Sequence, residues 1–153
     1  MSYEVGKKAL DFLVANSGSR KNLEVDFFGG EPTMNFEVVK QLVEYGRSIE
    51  EANNKKFRFT LTTNGILLND EILDFANKEM SNIVLSIDGR KEINDLMRPT
   101  RNNHGSSYDI IMPKFTKERN ILFSYGIGIC WLRNNRFNRN LLKSFISKMK
   151  NIF

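Results

Sequence analysis

The residues best suited to chemistry lie in the segment Leu23–Asn35, LEVDFFGGEPTMN. Gly29 and Gly30 stand before Glu31, and Pro32 follows it. Two glycines allow backbone angles that other residues avoid and let a ligand approach the main chain closely. Pro32 restricts the residue before it to an extended conformation. A carboxylate beside bare carbonyl groups is a set of hydrogen-bond acceptors, so this segment predicts a site that can bind a ligand's ammonium group.

Two segments, Leu23–Phe28 and Phe57–Thr63, show the two-residue alternation of side chains that is typical of β-strands. A third strand is expected at Ile83–Ile87, and a further strand within Ile121–Ile129. The first three run into GGEP, TTNG and SIDG. Asn-Gly and Asp-Gly are common turn pairs, so TTNG or SIDG alone can simply be a turn. Three such endings in order favour a functional interpretation.

Helical spacing of apolar residues predicts helices between these strands. The expected helices are Ser2–Asn16, Asn35 to about Ala52, one that begins at Asn69, Lys91–Met97, and Tyr108 to about Lys117. Asn35 and Asn69 are the expected caps of two of them. In the first helix, one side is expected to carry Val5, Ala9, Leu10, Phe12 and Leu13. Strands that alternate with helices predict an α/β fold with a parallel sheet, whose strand ends gather functional groups.

Composition excludes several classes of site. The 153 residues suffice for one domain with a buried core. Cys130 and His104 are the only cysteine and the only histidine, so neither an internal disulfide nor an ordinary zinc or iron–sulfur site can be built from this chain's side chains. No apolar run approaches the ~18 residues of a membrane span, and no secretory signal is evident, so a cytoplasmic location is expected.

Charge divides the chain into two parts. Residues 1–113 contain 14 basic and 17 acidic side chains, whereas residues 114–153 contain nine basic and one acidic. The net charges of −3 and +8 give the total of +5. The two parts therefore need separate interpretations.

Three segments within residues 1–117, FFGGEPTMNF, FTLTTNGILLN and VLSIDGRKEINDLMRP, closely resemble radical S-adenosylmethionine enzymes. More narrowly, they are similar to SPASM-containing peptide maturases that form thioether crosslinks in six-cysteine (SCIFF) ribosomal peptides. The resemblance implies a partial (β/α)6 TIM-like barrel. It also implies a 4Fe–4S cluster, held by a CxxxCxxC loop, that cleaves S-adenosylmethionine to a 5′-deoxyadenosyl radical.

The resemblance further implies which residues bind the cofactor. Gly29, Gly30 and Glu31 would meet the methionyl ammonium group, in agreement with the acceptor-rich segment. The remaining implied contacts lie at or beyond the next two strand ends: Thr63, Asn64, Ser86, Asp88 and Arg98. The last of these would approach the cofactor's carboxylate. Each has a structural alternative, because the first two can form a turn, Ser86 can fill space, and Arg98 can be a solvated loop side chain.

The chain departs from the family pattern at both ends. The CxxxCxxC loop is absent, so the first strand and the cluster ligands are expected upstream of Met1, and the C-terminal units are missing after Lys117. Cys130 cannot replace three thiolates. The 4Fe–4S cluster therefore belongs to the parent family, and this chain is expected to bind S-adenosylmethionine weakly or not at all.

Residues 118–153 form a basic tail with two interpretations. Its abundance of Lys, Asn, Ile and Phe is what out-of-frame reading of A/T-rich DNA produces, and a frameshift is the favoured one. The alternative is a basic amphipathic helix with one apolar stripe, formed by Leu141, Leu142, Phe145, Ile146 and Met149. The tail has no recognisable nucleic-acid motif. Because a frameshift is the favoured interpretation, neither nucleic acid nor a membrane is the expected partner.

The sequence thus predicts a partial radical S-adenosylmethionine barrel over residues 1–117 and a basic tail over residues 118–153. The parent function is thioether formation on a ribosomally made cysteine-rich peptide, which would be the partner. By itself, the chain is expected to be catalytically inert. The alternative function is a non-catalytic module that binds S-adenosylmethionine or a peptide.

Overall fold

Strands and helices alternate along the chain, as the apolar periodicity predicts. The computed structural model describes residues 1–101, 105–117, 121–125 and 128–129. The helices are α1 (Tyr3–Asn16), α2 (Phe36–Asn53), α3 (Asp70–Glu79), α4 (Lys91–Met97) and α5 (Ser107–Lys117). The strands are β1 (Asn22–Phe27), β2 (Lys56–Thr63), β3 (Asn82–Ile87), β4 (Ile121–Tyr125) and β5 (Gly128–Ile129). A 3-10 helix, Pro32–Asn35, leads directly into α2.

The strands follow chain order in the sheet, β1-β2-β3-β4-β5. The first three are parallel strands of an open sheet, which confirms the predicted α/β class. Within Ile121–Ile129, where a further strand is expected, the structure has the two short strands β4 and β5. Tyr125 pairs with Gly128 in an antiparallel register.

The described chain divides into two compact units, each with its own core. The first comprises Met1–Thr63 and Leu67–Ile83, and the second Asn64–Ile66 and the chain from Val84 onward. In the first unit, β1 pairs with β2 so that Phe27 lies opposite Leu61. The ring of Phe59 stacks against those of Phe27 and Phe57, with centroids 5.8 and 5.5 Å away. This aromatic stack fixes the register of the two strands, because a one-residue slip would turn every side chain to the opposite face.

Helix α2 packs closely on β2 in the first unit. A Cβ atom at Gly46 would lie 2.6 Å from Cζ of the Phe59 ring, so only glycine allows this approach. Next to it, Arg47 donates to the carbonyl oxygens of Phe57 and Glu79 at 2.9 and 2.8 Å. Its guanidinium lies 5.0 Å from the Phe59 ring centroid. One arginine therefore connects α2 with the start of β2 and the end of α3.

The apolar side predicted for α1 is only partly correct. Leu10 is buried as expected, whereas Val5, Ala9 and Phe12 are exposed and Gly6 is buried instead. The cause is the packing against α2, since a Cβ atom at Gly6 would lie 2.4 Å from Cδ1 of Leu42. The absence of a side chain at Gly6 thus decides which face of α1 packs against α2. A hydrophobicity pattern does not record this absence.

One of the two predicted caps is confirmed. Asn69 accepts a hydrogen bond from the backbone N–H of Ile72 at 2.9 Å and so caps α3. Asn35 makes no capping hydrogen bond for α2, and its Nδ2 instead donates to the carbonyl oxygen of Met1 at 3.0 Å. Because the 3-10 helix runs straight into α2, no separate cap is needed there.

The second unit has a small apolar core beside the turn after β2. Gly65 adopts φ = +79°, and a Cβ atom there would lie 3.0 and 3.1 Å from side-chain atoms of Leu85 and Ile111. Both side chains are almost fully buried. Conformation and space both require glycine at this turn.

Several sequence predictions lie outside the described residues: the stripe on residues 141–149, the lone Cys130 and the lone His104. Among the described helices, none combines the length and the apolar character that crossing a membrane requires.

Gly46→Ala is expected to destabilise the chain by about 1–3 kcal/mol, because the new methyl group overpacks the rigid, buried Phe59 ring. Urea unfolding followed by circular dichroism measures the loss. Ser48→Ala, an exposed change in the same helix, is the control and is expected to leave stability within about 0.5 kcal/mol. Equal stability of the Gly46 variant and wild type would contradict the packing.

A polar contact also joins β1 and β2. The hydroxyl group of Thr62 donates to both carboxylate oxygens of Asp26, at 3.0 and 3.1 Å. Burial raises the pKa of Asp26 above its ordinary value, and the Thr62 hydrogen bond works against this shift. The folded state therefore binds the Asp26 proton more tightly than the unfolded state does. Stability is lost as the pH rises from 3.8 through the folded pKa.

Asp26→Asn is accordingly expected to be more stable than wild type at neutral pH, by no more than about 0.5 kcal/mol, because the Asp26 carboxylate is only partly removed from solvent and is therefore well screened. The difference should shrink as the pH falls and vanish only below 3.8, where Asp26 becomes protonated in both states. Urea unfolding between pH 3 and pH 7 measures it. Asp74→Asn, an exposed change on α3, is the control. A stability difference between Asp26→Asn and wild type that grows as the pH falls would contradict the prediction.

Candidate functional site

The end of β1 opens into a stretch of bare backbone. Gly29 and Gly30 adopt φ values of +94° and +56°, which side chains rarely tolerate. Among the described residues, no atom would lie within 4 Å of a Cβ atom at either position. Glycine is therefore required for conformation and not for packing. The described part of the chain leaves the space beside this backbone free.

Glu31 follows with a carboxylate that is held in place. Its Oε1 accepts hydrogen bonds from the backbone N–H of Thr33 at 3.2 Å and from the Thr33 hydroxyl at 2.6 Å. A third comes from the hydroxyl of Thr63 at 2.6 Å. The first of these caps the 3-10 helix, and the third ties the end of β1 to the end of β2. The predicted fixed carboxylate is present, and Thr33 is the partner that sequence reasoning missed.

Thr63 differs from the other candidate residues because it is buried. It is only 2% exposed, and its hydroxyl is directed at Glu31. Within the first unit, the structure thus brings Thr63 together with Glu31, where it orients the carboxylate.

Asn64 belongs to the second unit and forms a turn there. A turn is the structural alternative to cofactor binding that the sequence suggested for this residue. Its Oδ1 accepts from the backbone N–H of Ile66 at 2.9 Å. The ammonium group of Lys114 donates to the carbonyl oxygens of Gly65 and Ile66, at 3.0 and 2.6 Å. Burial lowers the pKa of Lys114 below its ordinary value. Lys114, which no sequence pattern singles out, fixes the turn.

Asp88 and Arg98 form an ion pair in the second unit. Nε of Arg98 donates to Oδ2 of Asp88 at 2.7 Å, and Nη2 lies 3.4 Å from Oδ1. The sequence suggested two separate ligand contacts, whereas the structure joins these side chains. Ser86 is half-buried in β3, and its side chain has no hydrogen-bond partner among the described residues.

The buried residue behind this pair is Asn94, which sequence reasoning also missed. Its Oδ1 accepts from the backbone N–H of Asp88 at 3.0 Å. A single sequence contains no signal for such a residue, since asparagine on a short helix is usually solvated. Its role is visible only from its complete burial.

The donor set for a metal cluster is absent from the part of the chain that the structure describes. No group of three or more His, Cys, Asp or Glu side chains there is arranged to hold a metal ion. The full sequence contains a single cysteine. A 4Fe–4S cluster with three cysteine ligands does not fit these residues. The Glu31 carboxylate, by contrast, is a hydrogen-bond acceptor of the kind that an ammonium group binds.

Thr63→Val is expected to destabilise the chain by about 1–2 kcal/mol, because it removes a donor to the Glu31 carboxylate while keeping the side-chain volume. Thermal or urea unfolding measures the loss. Thr60→Val in the same strand is the matched control, since Thr60 makes a long contact of 3.4 Å with Asn82. Equal losses in the two variants would show that the Thr63 hydroxyl contributes nothing specific.

Comparisons with known proteins identify the family. The model of the 4Fe-4S single cluster domain family matches residues 1–112. An uncharacterized protein of Methanocaldococcus jannaschii is 30% identical over 148 residues, 95% of this chain and 48% of that protein. The cysteine-type anaerobic sulfatase-maturating enzyme of Clostridium novyi is 28% identical over 110 residues, 68% of this chain and 29% of the enzyme.

Solved structures show the same fold. Native anSMEcpe with bound AdoMet superposes with a TM-score of 0.65 at 26% identity, over 80% of this chain and 34% of that one. The same protein with bound AdoMet and the Kp18Cys peptide gives a TM-score of 0.63 at 26% identity, over 78% of this chain and 34% of that one. The chain thus spans half or less of the length of these relatives. It belongs to the 4Fe-4S single cluster domain family and has the fold of a partial radical S-adenosylmethionine barrel, distantly similar to anaerobic sulfatase-maturating enzymes.

Proposed function

We propose that residues 1–117 form the part of a radical S-adenosylmethionine peptide maturase that binds the cofactor's methionyl ammonium group. The observation that carries the proposal is the Glu31 carboxylate, fixed by three hydrogen bonds beside the open backbone of Gly29 and Gly30. A carboxylate that is already oriented loses little conformational entropy when it binds a cation. The geometry therefore favours an ammonium-bearing ligand.

The proposed site residues fall into two sets by the unit that contains them. In the first unit they are Gly29, Gly30, Glu31 and Thr63, with Thr63 acting through Glu31. In the second unit they are Asn64, Ser86, Asp88 and Arg98. A guanidinium group paired on one edge can still donate from another, so the pair can meet a carboxylate.

The proposed activity of the whole protein is thioether formation in a ribosomal cysteine-rich peptide, as in SPASM maturases of SCIFF peptides. Support comes from family membership and from a structural neighbour that binds both AdoMet and a peptide. In this family, S-adenosylmethionine supplies the 5′-deoxyadenosyl radical when a cluster is present. This chain has one cysteine, so we propose that it performs no radical chemistry by itself.

A second candidate is a non-catalytic module that binds S-adenosylmethionine. The observation in its favour is that the hydrogen bonds from Thr33 and Thr63 to Glu31 come from this chain and require no metal. The module requires cofactor binding without iron, whereas a maturase fragment is expected to bind the cofactor only weakly. They also differ in whether a polypeptide that supplies a cluster restores turnover.

Isothermal titration of the iron-free chain with S-adenosylmethionine tests the shared step. We expect weak but measurable binding, and about tenfold weaker binding by Glu31→Gln, because the neutral amide loses a charge-assisted hydrogen bond. The amide oxygen can still accept the bonds from Thr33 and Thr63, so the fold is expected to survive. Glu44→Gln, an exposed change on α2, is the control and should bind like wild type. Absence of heat at millimolar ligand would refute the proposal.

A further inference from the structure

Asn94 of α4 contacts both members of the Asp88–Arg98 pair. Its side-chain Oδ1 accepts from the backbone N–H of Asp88 at 3.0 Å. Its backbone carbonyl oxygen accepts from the backbone N–H of Arg98 at 2.7 Å. One residue therefore fixes the main chain at the end of β3 and the main chain just after α4.

The Asn94 amide is fixed from its other side as well. It is 0% exposed, and its Nδ2 donates to the hydroxyl oxygen of Ser107 at 2.9 Å. The Ser107 hydroxyl in turn donates to Oδ1 of Asp95 at 3.0 Å. That oxygen also accepts from the backbone N–H of Tyr108, the largest cause of the lowered pKa of Asp95. A buried amide with both its donor and its acceptor used has one orientation.

The consequence for Arg98 is a guanidinium group with a defined direction. Nε and Nη2 face Asp88. Nη1 has no hydrogen-bond partner among the described residues, and the side chain is 34% exposed. Arginine that is fixed on one edge presents the other edge to a planar anion, and a carboxylate matches that geometry.

We propose that Asn94 is a positioning residue that holds Asp88 and Arg98 as one unit, so that Nη1 of Arg98 is presented to a ligand carboxylate. The inference rests on the proposed function, since the carboxylate is that of S-adenosylmethionine. It adds Asn94, which lies outside the GGEP, TTNG and SIDG segments, to the candidate site. It also gives Asp88 the role of orienting Arg98.

Titration of the full chain with two ligands separates positioning from general stability. S-adenosylmethionine carries the carboxylate, whereas 5′-methylthioadenosine keeps the nucleoside and sulfur but lacks it. We expect Asn94→Ala to weaken binding of the first ligand about tenfold, the effect of losing one charged hydrogen bond, and to leave binding of the second unchanged. Asn53→Ala, at an exposed asparagine of α2 that bonds within its own helix, should change neither. Equal loss for both ligands would overturn the proposal.

A double-mutant cycle tests whether Asn94 acts through Arg98. In an Arg98→Ala background, Asn94→Ala should have no further effect on the affinity for S-adenosylmethionine, because the group that it positions is gone. A full effect that persists in this background would overturn the proposal. Melting curves show whether Asn94→Ala folds. If it does not, Ser107→Ala, which removes only the bond to Nδ2, replaces it with an expected loss of about twofold to threefold, and the same criteria apply.

A readout without ligand distinguishes failure of this inference from failure of the proposed function. If wild type binds no S-adenosylmethionine, the proposed function fails. The positioning role is then decided by the Nε–H resonance of Arg98 in a ¹⁵N spectrum. We expect a slowly exchanging signal in wild type that is lost in Asn94→Ala and weakened in Ser107→Ala. An unchanged signal in both variants would overturn the role of Asn94.

Discussion

The hydrogen bond from Thr63 to Glu31 depends on the register of two parallel strands. Phe27 lies opposite Leu61, so the chain after β1 reaches Glu31 at the level where β2 ends in Thr63. That register is itself maintained by the stacked rings beneath it and by the close approach of α2. A slip of one residue would turn the Thr63 hydroxyl to the other face. The geometry of the carboxylate is therefore a property of the core.

The Glu31 carboxylate and the Arg98 guanidinium are held in different ways, each within its own unit. The groups of Thr33 and Thr63 that donate to Glu31 are neutral hydrogen-bond donors. Arg98 is held by the carboxylate of Asp88. A hydrogen bond from a neutral donor orients a carboxylate through geometry, whereas an ion pair adds an attraction between opposite charges. The proposed contacts with an ammonium group and with a carboxylate thus have separate structural origins.

Local patterns in the sequence predicted most of the elements and the strand ends, because alternation and helical spacing are local properties. They failed where a tertiary contact decides. The absence of a side chain at Gly6 selects the inward face of α1, and a neighbouring 3-10 helix makes the expected cap at Asn35 unnecessary. At the candidate site, Glu31 was found from its neighbours in sequence. Asn94 was not, because its partners lie six and thirteen residues away and only burial reveals their contact.

Binding and chemistry can be separated in this fold, since they depend on different atoms. Radical formation in the family depends on a cluster whose three thiolates cannot come from a chain with one cysteine. The hydrogen bonds that orient Glu31 come from Thr33 and Thr63 of the same chain. They form when this unit folds and need no iron. The proposed cofactor contact at Glu31 therefore does not depend on where the cluster ligands are encoded, and a titration without iron tests that contact by itself.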